Sequence, residues 1–185
     1  MKPTIQADEW VNKYADILYN YTLARVNDKG IAEDLVQDTF LSAWRAKESY
    51  NAEASEKTWL FAICKNKIID HFRKKSTRKE QYAELDTTSH FFDDAEHWTE
   101  ESRPNEWGIS YTNTIETKEF YGILEFCKKK LQEMQRNVFV MKYMEDLDSE
   151  EICKVLNISS SNYWVIVHRA KLQLRKCIEQ NWVNS

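Results

Sequence analysis

Turn-forming residues are scarce, with 3 Gly and 2 Pro among 185 residues. That excludes most architectures made of many tight turns, such as sandwiches, hairpin-built barrels and propellers. Gly30, Gly108 and Gly122 stand alone, so neither G-x-G-x-x-G nor G-x-x-x-x-G-K-[ST] can form a phosphate-cradling loop. No run approaches the roughly 20 apolar residues of a membrane span. The first residues, Met1 to Asp8, lack the apolar stretch of a signal peptide. The 4 Cys (Cys64, Cys127, Cys153 and Cys177) include no C-x-x-C pair and no His at ligand spacing. Each has apolar neighbours, so buried reduced thiols in a cytoplasmic protein are expected. No metal and no cofactor are expected.

What is present is helical periodicity and an uneven charge. The net charge of −4 conceals +3 over residues 1–79, −9 over 80–116 and +2 over 117–185. The acidic middle holds 10 acids against Arg103 alone, with Pro104, Gly108 and Thr87-Thr88-Ser89. It reads as a linker. Its aromatics Phe91, Phe92, Trp98, Trp107 and Tyr111 suggest a segment that docks onto a surface. The expected fold is all-α: two small helical domains joined by this linker, at residues 8–76, 77–116 and 117–182.

In the first segment Trp10, Tyr14, Ile17, Leu18 and Tyr21 recur at helical steps. After a turn at 27–30, with Asp28 as a cap, a helix is expected over about 31–45. Leu35, Val36, Thr39, Phe40, Ala43 and Trp44 form its apolar face; Glu33, Asp34, Gln37, Asp38 and Leu41 form another. Residues 46–56 read as a loop, and Ser55 caps a long helix over about 56–75. Leu60, Ile63, Cys64, Lys67, Ile68 and Phe72 would be buried there. Lys57, Trp59, Lys65, Asn66, Ile69, Asp70 and Arg73 would face outward. The helix ends in Arg73-Lys74-Lys75, which suits the helix dipole and also fits nucleic acid.

The last segment predicts a helix over about 117–130 that leads into residues 131–136, after which Val138, Phe139, Met141 and Lys142 give a helical period. A short helix over 150–156 follows, capped by Asp148 or Ser149. After a turn at 157–159 a long helix runs over 160–180, capped by Ser159 or Ser160. Short helix, three-residue turn and basic helix make a helix-turn-helix pattern. Cys153 fills its compact position, Asn157 supplies a left-handed residue, and Ile158, Tyr163 and Ile166 fall at buried steps.

Residues 33–44 (EDLVQDTFLSAW) and 58–75 (TWLFAICKNKIIDHFRKK) resemble region 2 of bacterial RNA polymerase sigma factors. Residues 135–139 (QRNVF), 149–152 (SEEI), 159–161 (SSS) and 168–171 (HRAK) resemble region 4. Only these two regions have counterparts, the layout of the extracytoplasmic-function group. The resemblance implies a non-enzyme that supplies promoter recognition and strand opening to core RNA polymerase. Asp34, Gln37, Asp38 and Leu41 would grip the polymerase β′ clamp coiled coil, and the β flap would be a second contact. Tyr50, Lys57, Trp59, Lys65, Asn66 and Arg73 would read and melt the −10 element, by stacking on a flipped base and neutralising phosphates. Asp70 would be structural, paired with a nearby base. Ser160, Ser161, Asn162 and Trp164 would meet the −35 element in the major groove, with His168, Arg169, Lys171 and Arg175 on the backbone.

Many relatives carry Val-Lys-Ser-Arg where this chain has Tyr163-Trp164-Val165-Ile166, which leaves the −35 contacts open. The acidic linker would thread the polymerase cleft in place of RNA, and an anti-sigma factor is an expected partner. Two alternatives remain at this point. A stand-alone helix-turn-helix regulator would use residues 131–180. A metal-dependent nuclease would use Asp93, Asp94 and Glu96.

Overall fold

The computed structural model describes residues 7–78, 99–100 and 114–183. Among them are seven α-helices and no strand: α1 (Trp10–Val26), α2 (Lys29–Ala46), α3 (Glu56–Arg78), α4 (Thr114–Lys130), α5 (Glu133–Tyr143), α6 (Ser149–Leu156) and α7 (Ser160–Ile178). The fold is all-α. The helices divide into two compact units, one ending at Arg78 and the other formed by the bulk of the chain beyond it. Most of the acidic segment, including Phe91, Phe92, Asp93, Asp94, Glu96, Trp98, Trp107 and Tyr111, lies outside the described residues. The helices on either side enter the expected linker by a few residues, α3 reaching Arg78 and α4 starting at Thr114.

The first unit is a three-helix bundle. Trp10, Leu18 and Val26 of α1, Leu35, Val36 and Ala43 of α2, and Leu60, Cys64, Ile68 and Phe72 of α3 make its core. Two hydroxyls are buried within it. Thr22 donates to the Leu18 carbonyl at 2.8 Å and Thr39 to the Leu35 carbonyl at 2.7 Å, so neither is left unsatisfied. Trp10 is also satisfied: its indole N–H donates to the Glu56 carboxylate at 2.8 Å, tying the start of α1 to the start of α3. The α1–α2 junction turns on Asn27, left-handed at φ 55°, and on Asp28, whose carboxylate accepts the Ile31 N–H at 3.0 Å. Ser55 accepts the Thr58 N–H at 3.1 Å and starts α3.

In the second unit α5, α6 and α7 carry the helix-turn-helix. Val138, Val140, Met141, Ile152, Tyr163, Ile166, Val167 and Ala170 are buried. Asp148 and Glu151 form a reciprocal cap at the start of α6: the Glu151 N–H donates to Asp148 at 2.8 Å, and the Asp148 N–H to Glu151 at 3.4 Å. Asn157 is left-handed at φ 53°, as the turn requires. Ser159 accepts the Asn162 N–H at 3.2 Å and caps α7. Ile158, expected to be buried, is half-exposed. The basic helix is shorter than its pattern suggests: α-helical bonding ends at Ile178 and a π turn covers Glu179–Val183.

The expectation of four reduced thiols is overturned. Cys127 of α4 and Cys177 of α7 form a disulfide, with an S–S distance of 2.06 Å and Cα atoms 5.7 Å apart. Helix packing is the reason. Leu131, Ala170, Leu174 and Ile178 draw α4 and the end of α7 together and bring two cysteines 50 residues apart into bonding range. Cys64 and Cys153 take no part in a disulfide; Cys64 is buried and Cys153 half-buried.

Candidate functional site

Three exposed surfaces carry the expected site residues. The first is the outer face of α2. Asp34, Gln37, Asp38 and Leu41 are all exposed, at the three- and four-residue steps that share one face. Trp44 continues the stripe one turn further. The sequence pattern assigns it to the apolar face, yet it is 46% exposed, beside Leu41 at 48%. The Lys47 ammonium sits 3.6 Å from the centre of its ring, so the indole is covered by a cation rather than by the core. Two acids, an amide, an aliphatic and an indole thus form one polar-rimmed apolar surface. Such a surface suits a partner helix bearing arginines and apolar residues.

The second surface is on α3 and the loop before it. Trp59, Asn66 and Arg73 follow at seven-residue steps along one stripe, and Tyr50 joins it from the loop. The Tyr50 and Trp59 rings lie 5.2 Å apart, and Trp59 also meets Trp10 at 5.8 Å. The Tyr50 hydroxyl donates to the Ala54 carbonyl at 2.5 Å, closing the loop on itself. Ala52 takes φ 60° there, a left-handed conformation unusual for alanine. Arg73 donates to Asp70 at 2.8 Å, the local base that Asp70 was expected to find. Lys57 and Lys65 lie elsewhere. With Phe61 between them at four-residue steps, they run along a different flank of α3.

Phe61 is the residue that sequence reasoning passes over. It meets Tyr21 edge-on at 4.9 Å, and the Arg25 guanidinium lies 3.3 Å from the Tyr21 ring centre. Half-buried rings thereby alternate with cations along this flank, the composition of a single-strand binding surface. The signal available was the i, i+4 spacing of Lys57, Phe61 and Lys65.

The third surface is α7. Ser160, Ser161, Trp164, Val165, His168 and Lys171 are exposed, and from Ser161 onward they share one face. Trp164 is 59% and Val165 41% exposed. Asn162 and Arg169, seven residues apart, lie together on the flank and are half-exposed. Arg175 continues the main face but stands about 21 Å from Ser161 along the axis, and it donates to Glu179 at 2.9 Å. Tyr163 points inward and is fully buried, with no partner for its hydroxyl. Burial raises its phenol above the ordinary value, with smaller contributions from Tyr143 and Cys153.

Among the described residues no group of three or more His, Cys, Asp and Glu side chains could hold a metal ion. Among the same residues no helix is long and apolar enough to cross a membrane. The nuclease acids Asp93, Asp94 and Glu96 lie outside the described residues.

Two stretches of the chain match known protein families. Residues 10–78 match Sigma-70 region 2, and residues 121–174 match Sigma-70 region 4. A probable RNA polymerase sigma factor of Haemophilus influenzae is 34% identical over 97% of this chain and 93% of its own. The ECF RNA polymerase sigma factors SigW and SigM of Bacillus subtilis are 30% and 29% identical, over 90% and 91% of this chain and 85% and 92% of theirs. A solved sigma factor, RpoE of Bartonella quintana in complex with the anti-sigma factor NepR, is 19% identical, covers 93% of this chain and 96% of its own, and has a TM-score of 0.42.

The chain belongs to the RNA polymerase sigma factor family, in its extracytoplasmic-function group. It is a factor for promoter-directed transcription initiation. The family is regulatory rather than catalytic.

Proposed function

We propose that the three surfaces divide the work of initiation. The α2 face, Asp34, Gln37, Asp38 and Leu41 extended by Trp44, binds the β′ clamp coiled coil of core RNA polymerase. Tyr50, Trp59, Asn66 and Arg73 engage the −10 element, and Lys57 and Lys65 hold the strand along the flank that includes Phe61. The exposed face of α7 enters the −35 major groove through Ser160, Ser161 and Trp164. His168 and Lys171 hold phosphates there, with Asn162 and Arg169 alongside, and the β flap meets the same domain. Arg175, committed to Glu179 and remote from the helix start, contributes through the domain's long-range field.

The two domains span about 8–76 and 117–182, with α3 and α4 running on to Arg78 and back to Thr114, and the acidic segment between them competes with nucleic acid for the basic polymerase cleft. An anti-sigma factor that covers these surfaces is the natural inhibitor. The protein works in the cytoplasm and catalyses no reaction itself.

The observation that carries this reading is the exposed Asp34–Gln37–Asp38–Leu41–Trp44 stripe on a helix whose opposite side is buried. A stand-alone DNA-binding regulator has no use for such a surface. Gel filtration of the chain with core polymerase, followed by binding to a promoter fragment, tests it. The expected result is a stable one-to-one complex and DNA binding only with core present. Tight duplex binding by the chain alone, with no core complex, would return the regulator reading.

A further inference from the structure

The function of the α7 face leaves one feature of the same helix unexplained, the covalent bond at its far end. Cys127 is 1% exposed within the cluster of Leu131, Ala170, Leu174 and Ile178. Cys177 is half-exposed. Asn181, in the π turn, donates through Nδ2 to the Cys177 carbonyl at 2.7 Å and reaches the Cys177 sulfur at 3.7 Å. The two sulfurs are therefore chemically unequal. Cys177 is partly buried at the edge of this cluster with an amide N–H beside its sulfur, and Cys127 is sealed within it.

We propose that Cys127 and Cys177 form a thiol–disulfide redox site that controls the stability of the C-terminal domain and, through α7, its hold on the −35 element. The second half of this statement rests on the function proposed above.

The asymmetry assigns roles. In the reduced protein Cys177 is the thiol that an oxidant reaches first, because it is less buried than Cys127 and the Asn181 amide lies beside its sulfur. Its thiolate attacks a hydroperoxide. An S–O bond forms, the O–O bond breaks, and with hydrogen peroxide the departing hydroxide takes a proton to become water. The Cys127 sulfur then attacks Cys177 Sγ. The S–S bond forms, the S–O bond breaks, and the second hydroxide leaves as water with the Cys127 proton. Two thiols have lost two electrons and one peroxide has become two waters. An external dithiol of the thioredoxin class restores the thiols: its first thiolate attacks the Cys177 sulfur and releases Cys127 as a thiol, and its second thiol attacks the mixed disulfide, releasing Cys177 as a thiol and leaving the dithiol oxidised to its own disulfide.

The other cysteines do not compete. Cys64 is buried against the Thr22 hydroxyl at 3.2 Å, and burial, followed by the charge of Glu150, pushes the Cys153 thiol up.

The bond links α4 to the last turn of α7 and closes a loop that contains α5, α6 and the helix-turn-helix turn. Opening it frees the unfolded chain far more than the folded one, so the loss falls on stability. Beyond Cys177 the π turn places Trp182 edge-on to Phe120 at 6.1 Å, a second and weaker tie between the same elements.

The test uses the full chain, reduced with dithiothreitol or oxidised with hydrogen peroxide. Thiol alkylation with mass spectrometry, thermal melting and transcription with core polymerase are the readouts. When the oxidised chain is unfolded in denaturant before alkylation, only Cys127 and Cys177 should resist the reagent. The reduced form should melt about 10 °C or more lower. Transcription from a promoter that needs its −35 element should fall several-fold on reduction. A template already unpaired at −10 should be far less affected. Cys127→Ala and Cys177→Ala should resemble the reduced form under both conditions; wild type in the two redox states gives the same comparison without substitution.

Alkylation of both thiols after peroxide treatment would overturn the site. So would a melting temperature or promoter ratio that ignores redox state. Silence on every template in both states would instead overturn the sigma reading, while alkylation and melting would still decide the redox site.

Discussion

The Tyr50 ring lies 5.2 Å from that of Trp59, inclined at 51°, while the Tyr50 hydroxyl holds the Ala54 carbonyl. The loop before α3 and the first turn of α3 are thus one preorganised unit rather than a mobile loop beside a rigid helix. Such a ring pair contributes about 0.5–1.5 kcal/mol beyond the area it buries. Tyr50→Ala should slow open-complex formation on duplex promoters several-fold, with partial recovery on a template unpaired at −10. Permanganate reactivity of the −10 thymines measures this. Unchanged reactivity would remove the loop from the melting step.

The α2 face predicts a binding defect without a folding defect. Gln37→Ala with Asp38→Arg should abolish co-purification with core polymerase and leave helix content unchanged, because both side chains are exposed. Trp44→Ala should weaken core binding by about 2 kcal/mol, the scale of a tryptophan at the centre of an interface. Titration of labelled protein into core separates the two effects. Wild-type affinity in both variants would sink the assignment.

On α7 the expected effect is selective. Trp164→Ala should cost about 1–3 kcal/mol on promoters that carry a −35 element. It should cost little on templates that depend on −10 alone. Equal losses on both would place Trp164 outside −35 recognition.

Tyr163 gives a stability prediction with a sign. Its buried hydroxyl has no partner, a penalty of about 1–3 kcal/mol. Tyr163→Phe should therefore raise the melting temperature by a few degrees. The folded-state phenol is also raised above its unfolded value. Its neutral form favours the fold below the ordinary tyrosine range near pH 10. That contribution is lost as pH rises from there through the folded value, because the unfolded chain ionises first. Wild type should lose stability in that alkaline window more steeply than Tyr163→Phe. Parallel curves in melts between pH 8 and 11 would contradict this.

The acidic segment yields a fifth expectation. Changing Asp93, Asp94, Glu96, Glu100 and Glu101 together to Ser should weaken holoenzyme assembly, reduce its salt dependence and alter the yield of abortive RNA. Unchanged assembly and abortive synthesis would leave those acids a role in solubility alone.

Most of the helical frame is legible in the residues themselves. Asp28, Ser55, Asp148 and Ser159 cap as their types suggest, and Asn157 turns the helix-turn-helix, because caps and left-handed residues are local chemistry. What could not be read depended on neighbours distant in sequence. Trp44 belongs to the apolar pattern of α2, but its ring stays outside the core and Lys47 lies over it. Cys127 and Cys177 pair because α4 packs on α7, and no spacing rule encodes that. The five expected −10 residues on α3 divide between two of its flanks, since proximity in sequence does not ensure a shared face.

Run-off transcription on genomic fragments with purified core polymerase, with start sites mapped, tests the central claim most directly. The account predicts discrete starts that appear only when both core and this chain are present, preceded by shared −10 and −35 motifs. Starts unchanged from core alone, together with specific duplex binding by the chain in the absence of core, would contradict it.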